Sequence, residues 1–181
     1  MFAVIVSHVV HFGFMNNELL LRPAAAADVE AINILYNHYV QVSTCTYQEE
    51  PETMESRQQW FENHRPEIHP IIVAVSNGRV VGWGSLSTYH SRCAYRNTAE
   101  ISVYVHHELH RLGIGSAILN DLILRARAIG YHAIIAAIDG EQKASITMHT
   151  RFGFTEVGHF QEVGFKFGRW LDVIYMERIL S

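Results

Sequence analysis

The stretch from His106 to Ile129, HHELHRLGIGSAILNDLILRARAI, constrains the possible folds of this chain most strongly. It follows a β-branched run, Ile101 to Val105, and passes through Gly113 and Gly115 into an amphipathic helical pattern. A strand that enters a helix through a glycine turn directs free backbone N–H groups and the positive end of the helix dipole at one point. The sequence therefore predicts an anion-binding loop at the start of this helix.

Composition describes one ordinary soluble globular domain. The 181 residues are 49% hydrophobic and 18% charged, which fits neither a disordered chain nor a membrane-spanning one. The net charge is −4 and the basic residues form no run, so neither a nucleic-acid partner nor a membrane partner is expected. Cys45 and Cys93 belong to no CxxC motif, which argues against a disulfide framework and a zinc ribbon. A reducing cytoplasm is the expected location.

The N-terminal segment 1–17 is apolar but lacks the pattern of an export signal. It has no basic region before the apolar run, His8 and His11 interrupt that run, and no small-residue cleavage site follows. We interpret it as an N-terminal extension, with an extra edge strand as the alternative.

From residue 18 onward the hydrophobic periodicity predicts alternating elements in the order β-α-α-β-β-β-α-β-α-β-β. Asn77-Gly78 between two β-branched runs is a strong signal for a tight hairpin. The predicted strands are 18–22, 71–75, 80–86, 98–105, 132–138, 154–160 and 170–177, and the predicted helices are 24–39, 53–64, 115–129 and 141–151.

Two common phosphate-binding loops do not match the glycines. A dinucleotide fold needs G-x-G-x-x-G at the first helix of a βαβ unit, but Ile118 occupies the third glycine position. A nucleoside triphosphatase loop needs Gly-Lys-Ser/Thr, whereas Gly115 is followed directly by Ser116. Both classes are excluded.

The segment 110–115, His-Arg-Leu-Gly-Ile-Gly, resembles the Q/R-x-x-G-x-G/A motif of the GCN5-related N-acetyltransferases (GNAT). The segments 94–106, AYRNTAEISVYVH, and 163–173, VGFKFGRWLDV, are similar to the phosphinothricin and methionine sulfoximine acetyltransferase subgroup, and the shorter segments 21–23 and 36–39 add to the similarity. His110 departs from the usual Gln or Arg. The resemblance spans about residues 18 to 180.

The resemblance implies a single-domain α/β fold over residues 18–181, with a mixed, mostly antiparallel central sheet flanked by helices. It also implies that backbone amides of the loop hold the pyrophosphate of acetyl-CoA, since bulk at Gly113 or Gly115 would block the approach. The implied cofactor-binding residues are Val103, Tyr104, Val105, Arg111, Leu112, Gly113, Ile114, Gly115, Ser116, Gln142 and Ser145.

Glu100 occupies the position that the subgroup uses for a general base. An amine nucleophile is mostly protonated at neutral pH, so a group must remove its proton before attack on the thioester. An apolar strand environment would raise the pKa of this carboxyl towards a useful value. The alternative is an edge-facing glutamate paired with Arg92 or Arg96.

His149 stands where many relatives have a catalytic tyrosine, and in the subgroup a histidine is usual. An imidazole can protonate the leaving CoA thiolate or assist deprotonation near pH 7. A buried structural histidine bonded to a carbonyl is the alternative.

The implied substrate is a small amino acid that carries a phosphinate, sulfone or sulfoximine. Arginine binds such groups through its planar fork. Arg92 and Arg96 are the candidates on the loop before Glu100, with Tyr47 and Tyr95 as pocket walls. Lys166 and Arg169 are a second possibility near an implied homodimer contact, and surface charges or a core-packed tyrosine are the alternatives for all of these.

Two other functions share the cofactor loop. A protein N-terminal acetyltransferase needs an open groove, and a catalytically silent acyl-CoA-binding module has no use for Glu100 or His149. The histidines at 106, 107 and 110 lack the spacing of a metal motif, so no metal is expected.

Overall fold

The computed structural model of the chain describes residues 7–11 and 18–180. Within these residues eight strands form one sheet, flanked by four helices, and three single turns of 3-10 helix lie between them. The strands are β1 His8–His11, β2 Glu18–Pro23, β3 Ile71–Ser76, β4 Arg79–Thr88, β5 Thr98–Val105, β6 Ala133–Asp139, β7 Thr155–Lys166 and β8 Arg169–Ile179. The helices are α1 Val29–Val42, α2 Met54–Asn63, α3 Ile114–Ile129 and α4 Lys143–Arg151.

The sheet has the order β1-β2-β3-β4-β5-β6-β8-β7. Every neighbouring pair is antiparallel except β5 and β6, which run parallel. The predicted mixed, mostly antiparallel α/β fold is therefore confirmed, and every predicted element is present. Strand β8 lies between β6 and β7, so the last hairpin joins the sheet through its second strand.

The N-terminal segment contributes β1, which pairs with β2 at the edge of the sheet. The alternative of an extra edge strand thus holds for residues 8–11, while residues 1–6 and 12–17 of the predicted extension lie outside the described residues.

Helix α1 begins later than predicted, at Val29 rather than at residue 24. The Asp28 carboxylate accepts hydrogen bonds from the backbone N–H of Ala25 at 2.8 Å and from Arg22 at 2.6 Å. These bonds hold a 3-10 turn, Ala26–Asp28, between the strand and the helix. Strand β7 also runs further than predicted, to Lys166, because its pairing with β8 continues past an irregularity between Phe160 and Gly164.

Helix α3 packs on one face of the sheet because β4 carries glycines beneath it. A Cβ atom on Gly82 would lie 2.9 Å from Ile118 Cδ1, and one on Gly84 would lie 2.7 Å from Ile118 Cγ2. On the other face, α1 and α2 cover a second cluster centred on Trp83, which is 2% exposed. The sheet thus separates a helix-packed core from a smaller aromatic one.

None of the helices in residues 7–11 and 18–180 is long and apolar enough to cross a membrane.

Candidate active site

The parallel ladder between β5 and β6 is short. It runs from Thr98 opposite Ala133 to Glu100 opposite Ile135, only three residue pairs. Beyond Glu100, β5 continues to Val105 with β4 alone, while β6 continues to Asp139 with β8 alone. The sheet therefore opens between these two strands, just where β5 leads into the glycine loop.

The loop before α3 supplies a set of free amides. Arg111 and Gly113 have φ values of 64° and 83°, both in the left-handed region. The N–H of residue 117 is bonded to the Gly113 carbonyl at 3.0 Å as the helix begins. The amides of residues 114–116 precede it and have no helical acceptor, so they can donate to an anion at the dipole's positive end.

Gly115 keeps the start of α3 close to the neighbouring elements. A Cβ atom there would lie 3.3 Å from Met148 Sδ and 3.5 Å from Val105 Cγ2. The first of these contacts is tighter than most real ones. A side chain at position 115 is predicted to block the cofactor. It would also crowd neighbouring residues of the protein itself.

The side chain of His110 braces the loop against α1. Tyr39 donates its hydroxyl hydrogen to the Val105 carbonyl, and His110 Nε2 lies 2.7 Å from the same hydroxyl. Burial raises the pKa of Tyr39 to about 12, so the hydroxyl stays protonated. His106, His107 and Glu108 bring ligand atoms within 4.8 Å of one another on the partly exposed turn, whereas the His110 ring bonds to Tyr39.

A cavity of about 290 Å³ lies on the face of β4 and β5 that α1 and α2 cover. The register pairs Trp83 with Tyr104 and Ser85 with Ser102, and all four side chains line the cavity. Its remaining lining comes from Tyr36, Glu52, Ser56, Arg57, Trp60 and Ser87. The Trp83 and Tyr104 rings stack at 4.8 Å.

Glu100 is paired with Ser87 across β4 and β5, so it continues the same strand face beyond Ser102. Burial raises the pKa of its carboxyl, as the sequence predicted. No arginine or lysine nitrogen of the described chain lies within 4.0 Å of it, so the alternative of an ion pair with Arg92 or Arg96 is absent there. Glu100 is a half-buried carboxylate at the point where the sheet opens.

Arg92, Tyr95 and Arg96 lie on the exposed connection between β4 and β5 and do not line the cavity. Tyr95 packs edge-on against Tyr89 at a centroid distance of 5.7 Å. The substrate role of Arg92, Tyr95 and Arg96 stays a prediction.

Arg57 is the cavity residue that the sequence argument missed. Its side chain is 5% exposed, its Nε donates to Asn33 Oδ1 at 3.3 Å, and its guanidinium lies 4.3 Å from the Tyr36 ring centroid. A signal was present, since Arg57 lies three residues before Trp60 and four before Phe61, on the apolar side of α2. Burial lowers its pKa.

His149 is buried at 4% exposure, and its Nδ1 lies 2.9 Å from the Ser145 carbonyl oxygen. Because a carbonyl only accepts, Nδ1 carries the hydrogen and Nε2 is left as an acceptor in the neutral ring. Burial lowers the pKa of this imidazole, although the Ser145 bond acts in the opposite direction. These are the features of the alternative, a buried histidine bonded to a carbonyl. Gln142 stands at the N-terminus of the same helix, α4.

Tyr47 and Lys166 join the last hairpin to the 43–47 loop. Lys166 is 2% exposed and donates to the carbonyls of residues 43 and 46, at 2.9 and 2.7 Å. The Tyr47 hydroxyl donates to the Asp172 carbonyl at 3.0 Å, and a Cβ on Gly164 would clash with the Tyr47 ring. Tyr47 therefore packs on the hairpin, and Arg169 forms an exposed ion pair with Glu141.

The profile of the Acetyltransferase (GNAT) family matches residues 32–154. An L-methionine sulfoximine/L-methionine sulfone acetyltransferase from Pseudomonas aeruginosa is 39% identical over 158 residues, covering 87% of this chain and 92% of that protein. An N-acetyltransferase structure from Staphylococcus aureus Mu50 has a TM-score of 0.88 at 36% identity, covering 90% of this chain and 99% of that one. A GNAT superfamily phosphinothricin acetyltransferase from Sinorhizobium meliloti, solved with acetyl-CoA, has a TM-score of 0.86 at 36% identity, covering 89% and 88%.

The chain belongs to the GNAT family and is an acetyltransferase that uses acetyl-CoA. The residues present fit this cosubstrate, because the start of α3 offers three free amides and the positive end of the helix dipole, and the sheet opens beside them.

Proposed function

We propose that the protein transfers the acetyl group of acetyl-CoA to the α-amino group of a small amino acid such as phosphinothricin, methionine sulfoximine or methionine sulfone. One observation carries the proposal: Glu100 lies where the β5–β6 ladder ends, on the strand face that lines a cavity of small-molecule size. The names of the relatives from Pseudomonas aeruginosa and Sinorhizobium meliloti support this substrate class.

Glu100 acts as the general base in this proposal. Its raised pKa makes the carboxylate a stronger base than an exposed glutamate, and it removes the proton of the substrate ammonium directly or through a water. When bound, acetyl-CoA supplies the thioester carbonyl that the amine attacks, and its C–S bond breaks so that CoA leaves as the thiolate. The protein holds both reactants in place.

The proposed cofactor contacts come from three places. The backbone of residues 103–105 borders the open side of β5, and the loop residues 111–116 supply amides. Gln142 and Ser145 lie at the start of α4. The side chains of Val103 and Val105 pack against the core while that of Tyr104 lines the cavity, so the contact of this strand is assigned to its backbone.

His149 is the second proposed catalytic group. With its hydrogen on Nδ1, the neutral ring offers Nε2 as a proton acceptor. Protonating a leaving thiolate requires the imidazolium, which the lowered pKa disfavours at neutral pH. We therefore propose that His149 helps to orient α4 and accepts a proton during the reaction. We favour these roles over that of an acid.

An acetylation screen tests the function. Purified enzyme is incubated with acetyl-CoA and either phosphinothricin, methionine sulfoximine, methionine sulfone or a peptide with a free N-terminus. We expect turnover with the amino acids and little with the peptide. Preference for the peptide would support an N-terminal acetyltransferase, and acetyl-CoA binding without any turnover would support a silent binding module.

We also propose a homodimer in the cytoplasm. The β7–β8 hairpin exposes a row of large apolar side chains, each more than half exposed, which is unusual for a monomer. They are Val157, Phe160, Val163, Phe165, Phe167 and Trp170. Both cysteines are free thiols, which fits a reducing compartment.

A further inference from the structure

Arg57 is a buried cation in the cavity wall. No carboxylate of the described chain lies within 4.0 Å of its guanidinium nitrogens. A buried charge without a counter-ion is costly, and removing it from water requires compensation by other groups. A cavity that contains such a charge is suited to an anionic ligand.

The protein compensates the charge only in part. The guanidinium carbon lies 4.3 Å from the Tyr36 centroid and 4.8 Å from that of Trp60, which provides cation–π attraction. The Nε bond to Asn33 occupies one of five N–H donors. Burial lowers the Arg57 pKa and outweighs Tyr36 and Glu52, which favour the cation electrostatically. Glu52 also lines the cavity, but its carboxylate accepts the Ser56 hydroxyl rather than forming an ion pair with Arg57.

The indole N–H of Trp83 is a second buried donor in the cavity wall that lacks an acceptor within the described part of the chain. Trp83 is 2% exposed, lines the cavity, and its indole N–H has no hydrogen-bond partner among the described residues. An indole nitrogen can only donate, and a buried donor without an acceptor carries a desolvation penalty. The cavity wall therefore combines an arginine fork and an unused N–H, both of which need oxygen acceptors.

We propose that Arg57 binds the α-carboxylate of the amino acid and so selects free amino acids over amines and peptide N-termini, whose α-carboxyl is absent or an amide. This inference rests on the proposed function. The planar fork matches the two oxygens of a carboxylate, and the Tyr36 and Trp60 rings lie against the guanidinium. Selection arises because a neutral acceptor leaves the buried cation uncompensated.

The experiment compares methionine sulfone with its α-carboxamide at saturating acetyl-CoA. For the wild type we expect kcat/KM to be at least about tenfold higher for the acid, since hydrogen bonds to charged groups are the strong ones. In Arg57→Gln this preference falls to near unity, mainly through a raised KM for the acid. Arg57→Lys keeps an intermediate preference because it retains the charge without the fork.

Arg65→Gln is the matched control, because Arg65 is exposed just beyond the same helix. Its preference should equal that of the wild type. Melting temperature and acetyl-CoA affinity check that each variant is folded, and if Arg57→Gln does not fold, the preference of Arg57→Lys decides. An unchanged acid-to-amide preference in the folded variants would overturn the proposal, as would equal rates for acid and amide in the wild type.

Methionine, which lacks the sulfone oxygens, serves as a further substrate. It shows whether Arg57 contacts the α-carboxylate or the sulfone. If Arg57→Gln abolishes the preference for methionine sulfone over methionine yet keeps that for acid over amide, then Arg57 contacts the sulfone, and the proposal is wrong. A wild type that acetylates no amino acid would instead refute the proposed function, which is a distinct result.

Discussion

At the scale of single residues, Glu100 shows how the fold prepares a base. The carboxyl lies on a strand inside the sheet, and burial alone raises its pKa. A raised folded-state pKa means that ionising Glu100 costs folding free energy as the pH rises above the unfolded value. The protein thus tolerates a destabilising carboxylate at neutral pH, which is the expected cost of a basic group at a reaction centre.

Glu100→Gln removes this base without changing its size. Wild-type kcat/KM should rise with pH through the Glu100 pKa, which lies above the usual 4.5. The variant should lose about 10²- to 10⁴-fold at low to neutral pH, and less where the amine is already deprotonated. The measurement is kcat/KM with methionine sulfone from pH 5 to pH 9.

The exposed Glu156 offers the matched control. Glu156→Gln should reproduce the wild-type profile. If Glu100→Gln has the same pH profile as the wild type and a similar rate, Glu100 is not the base.

The site residues that could be predicted from the sequence are those whose roles depend on the element that contains them. Gly113 and Gly115 act through the turn that contains them, and Glu100 through the strand that contains it. Arg57 was missed because its environment comes from Tyr36 on another helix and from a cavity that Trp83 on a strand also lines. In the sequence its spacing to Trp60 and Phe61 places it on the apolar side of α2, but only tertiary packing makes it a buried cation.

At the scale of elements, the contact between α3 and β4 depends on the absence of side chains. A Cβ on Gly84 would lie 2.7 Å from both Ile118 Cγ2 and the Ser102 carbonyl oxygen, and the second of these is backbone that cannot rotate away. The α3 helix carries the amide loop at its start, so any shift of the helix also moves the anion site.

Gly84→Ala should therefore destabilise the protein by about 1–3 kcal/mol, the usual cost of overpacking. Urea denaturation measures the free energy of unfolding. Arg79→Ala, at the exposed start of the same strand, controls for strand propensity and should change stability by less than about 0.5 kcal/mol. Equal stability of Gly84→Ala and the wild type would show that α3 can retreat from the sheet.

The boundary of an element could be predicted where the residues at that boundary themselves determine the backbone conformation. The hairpin at Asn77-Gly78 has φ values of 50° and 74°, as its sequence signal requires. Strand β7 was predicted too short because Phe160 pairs with Val173 while Gly164 pairs with Leu171, so β7 has extra residues and loses the alternating pattern. Such an irregularity is decided by the partner strand, which the local pattern does not contain.

At the scale of the whole molecule, the exposed apolar surface of the β7–β8 hairpin is the proposed dimer contact. Trp170 is 61% exposed and packs edge-on against Phe165, which is 51% exposed. Trp170→Glu places a charge in this apolar surface. If the surface is the dimer contact, analytical ultracentrifugation should give the mass of two chains for the wild type and of one chain for the variant.

Ile34→Glu provides the control, because Ile34 is 65% exposed on α1, outside the hairpin. It should sediment as the wild type does. A wild type that sediments as one chain would contradict the proposed dimer.

The position of β8 has a consequence for the order in which the protein is made. Its residues, Arg169–Ile179, follow those of every other described strand, yet β8 pairs with β6 along seven positions and holds β7 on its other side. The same hairpin brings Lys166 to the 43–47 loop. During synthesis on the ribosome, β6 keeps one unpaired edge and the loop lacks its clamp until this strand emerges. Acetyltransferase activity should therefore appear only after β8 has left the ribosome, when it pairs with β6 on one side and β7 on the other and completes the sheet.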